Sequence, residues 1–153
     1  MITNIDIDIF KQPSDAMIHQ ANCFHCFGGG IALRVKANYP EAYAADCKTK
    51  MGDIRKLGTF SSAQGKKDGR WIYNMYSQFS MGLGDRHTNY EAFYEGLCVI
   101  KDNILALGLK TVAIPRNIGC TLGGGNWYIC EKMIEVVFEN SAIDVYICNY
   151  QPS

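Results

Sequence analysis

Two glycine-rich segments constrain this chain more than any other feature. Gly28-Gly29-Gly30 and the run Gly119-Cys120-Thr121-Leu122-Gly123-Gly124-Gly125 each follow an apolar, strand-like stretch and precede a helical pattern. Glycine lets backbone amides approach an anion closely and reach positive φ. The helix that follows points its first unpaired N–H groups and the positive end of its dipole at the same place. A chain with two such loops is expected to bring them together around a diphosphate.

The spacing of apolar residues supplies the frame for those loops. Ile5, Ile7 and Ile9 alternate with Asp6 and Asp8, a period of two that predicts a first strand ending near Asp8. After a turn at Gln12-Pro13-Ser14-Asp15, residues 16–21 read as a second, more buried strand that feeds Asn22 and the first glycine loop. From Ile31 the pattern is helical and breaks at Tyr39-Pro40, which predicts a kink or a helix restart at the proline. Residues 59–62 and 71–76 predict a hairpin around the polar turn 65–69. The stretch 79–88 is polar and non-periodic, a loop able to close over a site.

Thr88 with Glu91 resembles a capping box, and Phe93, Leu97, Ile100, Ile104 and Leu107 then recur at helical spacing as far as Gly108. A short strand at 111–114 leads into the second glycine loop. Trp127, Cys130, Ile134, Val137 and Phe138 mark another helix, with Trp127 read as core, and 144–148 closes as a strand. Strands and helices intermixed in this way predict one α/β domain over residues 1–153, with a mixed sheet of about six strands. Both glycine loops then fall at carboxyl ends of strands, the edge where open α/β sheets bind ligands.

Composition narrows the function. The sequence holds 15 basic and 15 acidic residues and no basic stripe, so it lacks the electrostatic footprint of a duplex nucleic-acid binder. No window approaches the roughly 20 apolar residues of a membrane span, and the N-terminus has no basic, apolar leader pattern. A cytoplasmic monomer is expected, with no membrane partner. The 7 cysteines are odd in number and scattered, which does not fit a disulfide framework. Cys23-Phe24-His25-Cys26 has no second Cys/His pair at matching spacing to complete four zinc ligands, so no metal is expected. The glycines that follow it fit anion contact better than a redox helix start.

Neither loop is a P-loop or a dinucleotide fingerprint. The run His19-Gln20-Ala21-Asn22-Cys23-Phe24-His25-Cys26-Phe27-Gly28-Gly29-Gly30-Ile31-Ala32 resembles the first ligand loop of macro domains, and Ile114-Pro115-Arg116-Asn117-Ile118-Gly119-Cys120 through Trp127 resembles the second, with one residue inserted. Asp8-Ile9 matches the Asp-Ile pair at the end of that family's first strand. The resemblance implies a three-layer α/β/α fold and an ADP-ribose derivative as ligand, with no cofactor. It implies that Asp8 accepts from the adenine amino group, that the Ile9 amide donates to the ring, and that Asn22 faces the distal ribose. Gly28, Gly29, Gly30 and Ile31, with Ile118, Gly119, Cys120, Thr121, Leu122, Gly123 and Gly124, would surround the diphosphate, and Tyr150 would flank adenine.

The resemblance leaves the reaction open, because macro domains include readers, hydrolases and phosphatases. One hydrolase branch uses a lysine after the fourth strand and an aspartate in the second loop. Those positions hold Gln78 and Gly123, and a glutamine cannot act as the amine nucleophile. The branch that releases phosphate from ADP-ribose-1''-phosphate has an Ile-His before the first loop, as Ile18-His19 does here, and this is the expected activity. His19, Asn22 and His25 are then the expected catalytic residues, since histidine moves protons near neutrality. His19 equally reads as a core histidine, and Asn22 as a turn-former satisfying local backbone. His87 beside Asp85 reads as a surface pair. A binding module without turnover, and an ADP-ribosyl hydrolase acting on modified protein or nucleic acid, are the alternatives.

Overall fold

The structure is a computed structural model and describes residues 1–81 and 86–150. In chain order the elements are β1 (Ile2–Ile5), β2 (Ala16–Asn22), α1 (Gly30–Asn38), α2 (Pro40–Cys47), β3 (Phe60–Gln64), β4 (Trp71–Gln78), α3 (Tyr90–Ala106), β5 (Thr111–Pro115), α4 (Trp127–Phe138) and β6 (Asp144–Cys148), with a 3-10 turn at Ile54–Lys56. The strands form one sheet in the order β1-β6-β5-β2-β4-β3, parallel throughout except for β3 against β4.

β2 is central and covered on both faces, so its residues are apolar almost without alternation. Ala16 and Ile18 face the cluster of Phe93, Leu97, Ile100 and Ile104 from α3 and Cys130, Ile134 and Phe138 from α4. Met17 and Ala21 face the opposite cluster, where Val35 of α1 and Ala42 of α2 pack with Phe27 and Tyr39. The result is the expected three-layer α/β/α arrangement. The connection after β2 runs through α1 and α2 to the β3–β4 hairpin on one side of β2, and the connection after β5 runs through α4 to β6 on the other side of β5. That switch opens a crevice at the carboxyl ends of β2 and β5.

Local chemistry explains most boundaries. α1 stops at Asn38 and α2 restarts with Pro40 in its first turn, where a missing N–H costs nothing. The β3–β4 hairpin is closed by the Gly65 amide donating to Arg70 O at 2.7 Å. β1 is shorter than its alternation predicts, ending at Ile5. Its ladder partner β6 ends opposite it at Cys148, and the chain then turns, with the Lys11 and Gln12 amides donating to Asp8 O. The helix α3 is not capped by Thr88. Asn89 is the cap, its Oδ1 accepting from the Ala92 amide at 2.9 Å, which frees the Thr88 hydroxyl for the second glycine loop. Asn89→Ala is expected to lower the unfolding free energy by about 1 kcal/mol. Urea denaturation checks this; an unchanged midpoint would place the cap elsewhere.

Candidate functional site

A cleft of about 420 Å³ opens over the carboxyl ends of β2 and β5. From the first glycine loop it is lined by Asn22, Cys26, Gly28, Gly29, Gly30 and Ile31, and from the second by Arg116, Asn117, Ile118, Gly119, Thr121, Leu122 and Gly123. His19, Gln20 and Gln78 line it from β2 and β4. Of the residues expected at the site, Asp8, Ile9, His25, Cys120, Gly124 and Tyr150 are not part of this lining.

The first loop is built by Asn22. A register shift between Ala21 and Asn22 turns the end of β2. The Asn22 carboxamide then spans the turn, Oδ1 accepting from the Phe24 and Cys26 amides at 2.9 and 3.4 Å and Nδ2 donating to Cys26 O at 2.8 Å. This is the local-backbone role that asparagine fills in turns. His25 sits at φ +57 and its Nε2 meets Thr49 O at 3.0 Å, so its ring points at α2 rather than into the cleft. From behind, the buried Lys56 donates to Cys23 O at 3.4 Å.

His19 is 1% exposed. Asn74 donates both Nδ2 hydrogens, to Ala42 O and Ser61 Oγ, so its Oδ1 accepts from His19 Nε2–H at 2.7 Å. The ring edge meets Phe27 with centroids 5.3 Å apart, and Nδ1 is buried without a partner. Burial depresses the imidazole pKa to about 4, outweighing the bond to Asn74. The structure therefore places His19 as a neutral core histidine.

The second loop hangs on Thr88. Its hydroxyl donates to Gly119 O at 2.6 Å and accepts from Gln20 Nε2 at 3.0 Å, while the His87 and Thr88 amides both donate to Gly123 O. Gln20 also donates to Ser77 Oγ, tying loop, β2 and β4 into one network. No side chain fits at Gly123: a Cβ there would collide with Thr88 Oγ1 and lie 2.8 Å from both Gln20 Oε1 and Gly119 O. Asn117, Gly119 and Gly124 take positive φ and turn the loop back across the cleft. A Cβ on Gly29 would lie 3.1 Å from Leu122 Cδ1, so the two glycine loops meet at that leucine. The Cys120 thiol points away, toward Ile118 O and Cys130 Sγ.

Beyond the first turn of α1, a second group of side chains gathers. Asp8 accepts from Arg34 Nη2 at 2.6 Å and from the Phe10 amide at 3.1 Å. Arg34 Cζ lies 4.4 Å from the Phe10 ring centroid and 5.4 Å from that of Tyr150, which is exposed. Ile9 is buried and its carbonyl accepts from Arg70. Among the described cleft-lining residues Arg116 alone carries a formal charge, and its guanidinium lies 5.6 Å from the Trp127 ring. Asp85, read beside His87 from the sequence, lies outside the described residues. Among those described, no three Cys, His, Asp or Glu side chains converge on a metal position, and no helix is long and apolar enough to cross a membrane.

The sequence reading missed Gln20 and Arg34. Gln20 is the one polar residue in β2 that points to the second loop, and only the strand register reveals its partner. Arg34 is one turn into a segment read simply as helical. Thr88 carried a signal, but one that local spacing misassigned to a helix cap.

No family model matches the chain. Among solved structures, the macrodomain of Mycobacterium tuberculosis DarG superposes with a TM-score of 0.80 at 22% identity, covering 100% of this chain and 99% of that one. This chain has the macrodomain fold. Thermosipho africanus DarTG, solved in complex with ADP-ribose, superposes on the macrodomain with a TM-score of 0.77 at 19% identity, over 97% of this chain and 41% of that one. In sequence, an uncharacterised 17.5 kDa protein of the tk-vs intergenic region of phage T4 is 31% identical over 142 residues, 88% of this chain and 85% of the phage protein. The macrodomain described here belongs to one family with that phage protein. It is also 29% identical to a DNA ADP-ribosyl glycohydrolase of M. tuberculosis and 28% identical to the human ADP-ribose glycohydrolase OARD1. It spans 43% of the length of the first and 90% of the second.

His19 makes a stability prediction. Its folded pKa of about 4 lies below the unfolded value of 6.5, so the stabilisation is fully present above 6.5 and is lost as pH falls toward 4. About 3 kcal/mol is expected to disappear across that window for this residue. Denaturation of wild type and His19→Gln at both ends checks it; equal losses in the two proteins would remove His19 as the cause.

Proposed function

We propose that the cleft holds ADP-ribose and that the protein hydrolyses an ADP-ribosyl linkage, releasing ADP-ribose from its acceptor. The observation that carries this reading is the meeting of the two glycine loops over the crevice, with Gly29 and Gly30 opening α1 at one wall and Gly119 and Gly123 at the other. Their amides and the N-terminus of α1 suit a diphosphate, whose charge the neutral lining otherwise leaves to Arg116. The cluster of Asp8, Phe10, Arg34 and Tyr150 suits the adenine end, and Gln78 at the end of β4 suits the distal ribose. Two glycohydrolases among the relatives support the reaction.

In this reading water attacks the distal C1'' as the bond to the acceptor breaks, and the acceptor leaves with a proton drawn from that water. Gln78 donates Nε2 to Ser80 O at 2.6 Å, which leaves its Oε1 as the acceptor that can orient the water. Asn22 acts by holding the first loop in shape. Release of phosphate from ADP-ribose-1''-phosphate would use the same cleft, but a buried neutral His19 offers it no acid or base at neutral pH. A second reading is binding without turnover, which Gln78 and the packing that forbids an aspartate at Gly123 favour only over a lysine-and-aspartate route.

Three assays separate these readings: calorimetry with ADP-ribose, a gel assay with ADP-ribosylated DNA and protein, and phosphate release from ADP-ribose-1''-phosphate. Binding with ADP-ribose release is the expected result. Binding with no product supports the second reading, and no binding refutes both. Gly29→Glu is expected to weaken ADP-ribose binding by at least about a hundredfold, since a carboxylate would face the phosphates. The fold should survive, because Gly29 has an extended backbone at φ −152 that other residues adopt. Unchanged affinity with native circular dichroism would refute the assigned site.

A further inference from the structure

Arg116, the one formally charged side chain among the described residues of the cleft lining, has nothing there to neutralise it. It follows β5 directly, at the corner of a turn in which the Ile118 amide donates to Pro115 O at 3.1 Å and Asn117 takes φ +66. Its own amide donates to Cys148 O at 2.8 Å, so the turn is pinned to the end of β6. The side chain is exposed, and its Cζ lies 5.6 Å from the Trp127 ring centroid. Among the described residues the guanidinium makes no ion pair, and no aspartate or glutamate lines the cleft. An indole on one face steadies the group and leaves its N–H edge free for an anion.

The strand order says which part of a ligand that edge meets. From the hairpin outward the strands run β4, β2, β5, β6 and β1. With ADP-ribose in the cleft, Gln78 at β4 faces the distal ribose, the loops after β2 and β5 hold the diphosphate, and Asp8 beyond β1 lies at the adenine end. Arg116 stands where the chain leaves β5 against the end of β6, between the diphosphate and the adenine. The part of ADP-ribose that spans this interval is the adenosine ribose, with its 2'- and 3'-hydroxyls. Dinucleotide-binding folds show the relevant chemistry: a carboxylate takes the bare 2'-hydroxyl of that ribose, and an arginine takes a 2'-phosphate.

We propose that Arg116 forms an anion subsite beside the adenosine ribose, and that the cleft takes ADP-ribose carrying a phosphate on that ribose. A phosphate at the 2'-position is the group that distinguishes NADP from NAD. The inference rests on the reading of the cleft as an ADP-ribose site. The diphosphate does not use up Arg116, because the amides of the two glycine loops and the N-terminus of α1 supply its hydrogen bonds and Arg116 adds charge alone. The N–H donors of the guanidinium remain for a further phosphate, which accepts them in pairs. A carboxylate in the lining would repel that phosphate, and among the described lining residues there is none.

Calorimetry with ADP-ribose, its 2'-phosphate and its 3'-phosphate tests this, each at about 0.02 M and about 0.2 M salt. Wild type is expected to bind at least one phosphorylated form about fivefold tighter than ADP-ribose at the lower salt, with a smaller gain at the higher, because an exposed ion pair is screened. The form with the larger gain identifies the hydroxyl. Arg116→Met should still bind ADP-ribose through the loop amides, more weakly than wild type, and should lose the gain. Arg116→Lys, which keeps the charge without the planar fork, should recover part of it. Wild type that binds ADP-ribose and gains nothing from either phosphate, or a gain that persists in Arg116→Met, overturns the subsite and leaves the cleft assignment standing. Failure of wild type to bind any of the three overturns both.

Discussion

The parallel pairing of β2 with β5 decides where this protein can hold a ligand. The pairing is short, Ala16 with Val112 and Met17 with Ala113, yet it sets two strand ends side by side whose connections leave in opposite directions. Each strand end passes into a glycine loop and each loop into a helix, so two sets of backbone amides converge from separate parts of the chain. Lengthening either strand by a residue would reverse its side-chain alternation and carry its loop out of line. The buried run of β2, with both faces covered, resists such a slip.

On that base, the site is shaped by neutral groups. Asn22 shapes one loop, while Thr88 and Gln20 hang the other from the sheet. Charge sits at the edges, with Arg116 at the second loop and the Asp8–Arg34 pair beyond α1. This division suits binding by geometry and oriented dipoles. It also explains why the histidine that attracts notice in the sequence is silent in the fold: beside Asn74 and Phe27 it contributes packing and a hydrogen bond, and its proton chemistry lies far below neutrality.

Much of this was legible in the sequence. The helical spacing of Phe93, Leu97, Ile100 and Ile104, the restart at Pro40, the hairpin turn at Gly65 and the glycine loops themselves are local signals, and each reappears in the structure. What could not be read were relations across the sheet. β1 ends where β6 stops offering partners, which no pattern within residues 5–9 encodes. Thr88 lies three residues before a glutamate and so resembles a cap, but its hydroxyl answers to Gly119, a residue distant in the chain. His25 sits in the correct loop and points away from the cleft, because its positive φ turns the ring toward Thr49.

Leu122 lies so near the glycines at 29 and 30 that a Cβ on either would touch it, and that closeness has a kinetic meaning. For a ligand held as proposed above, the way into the cleft would pass this leucine, and moving it aside would involve one exposed side chain and no part of the core. Residence time would then answer to Leu122, while affinity would answer to the backbone amides of the two loops.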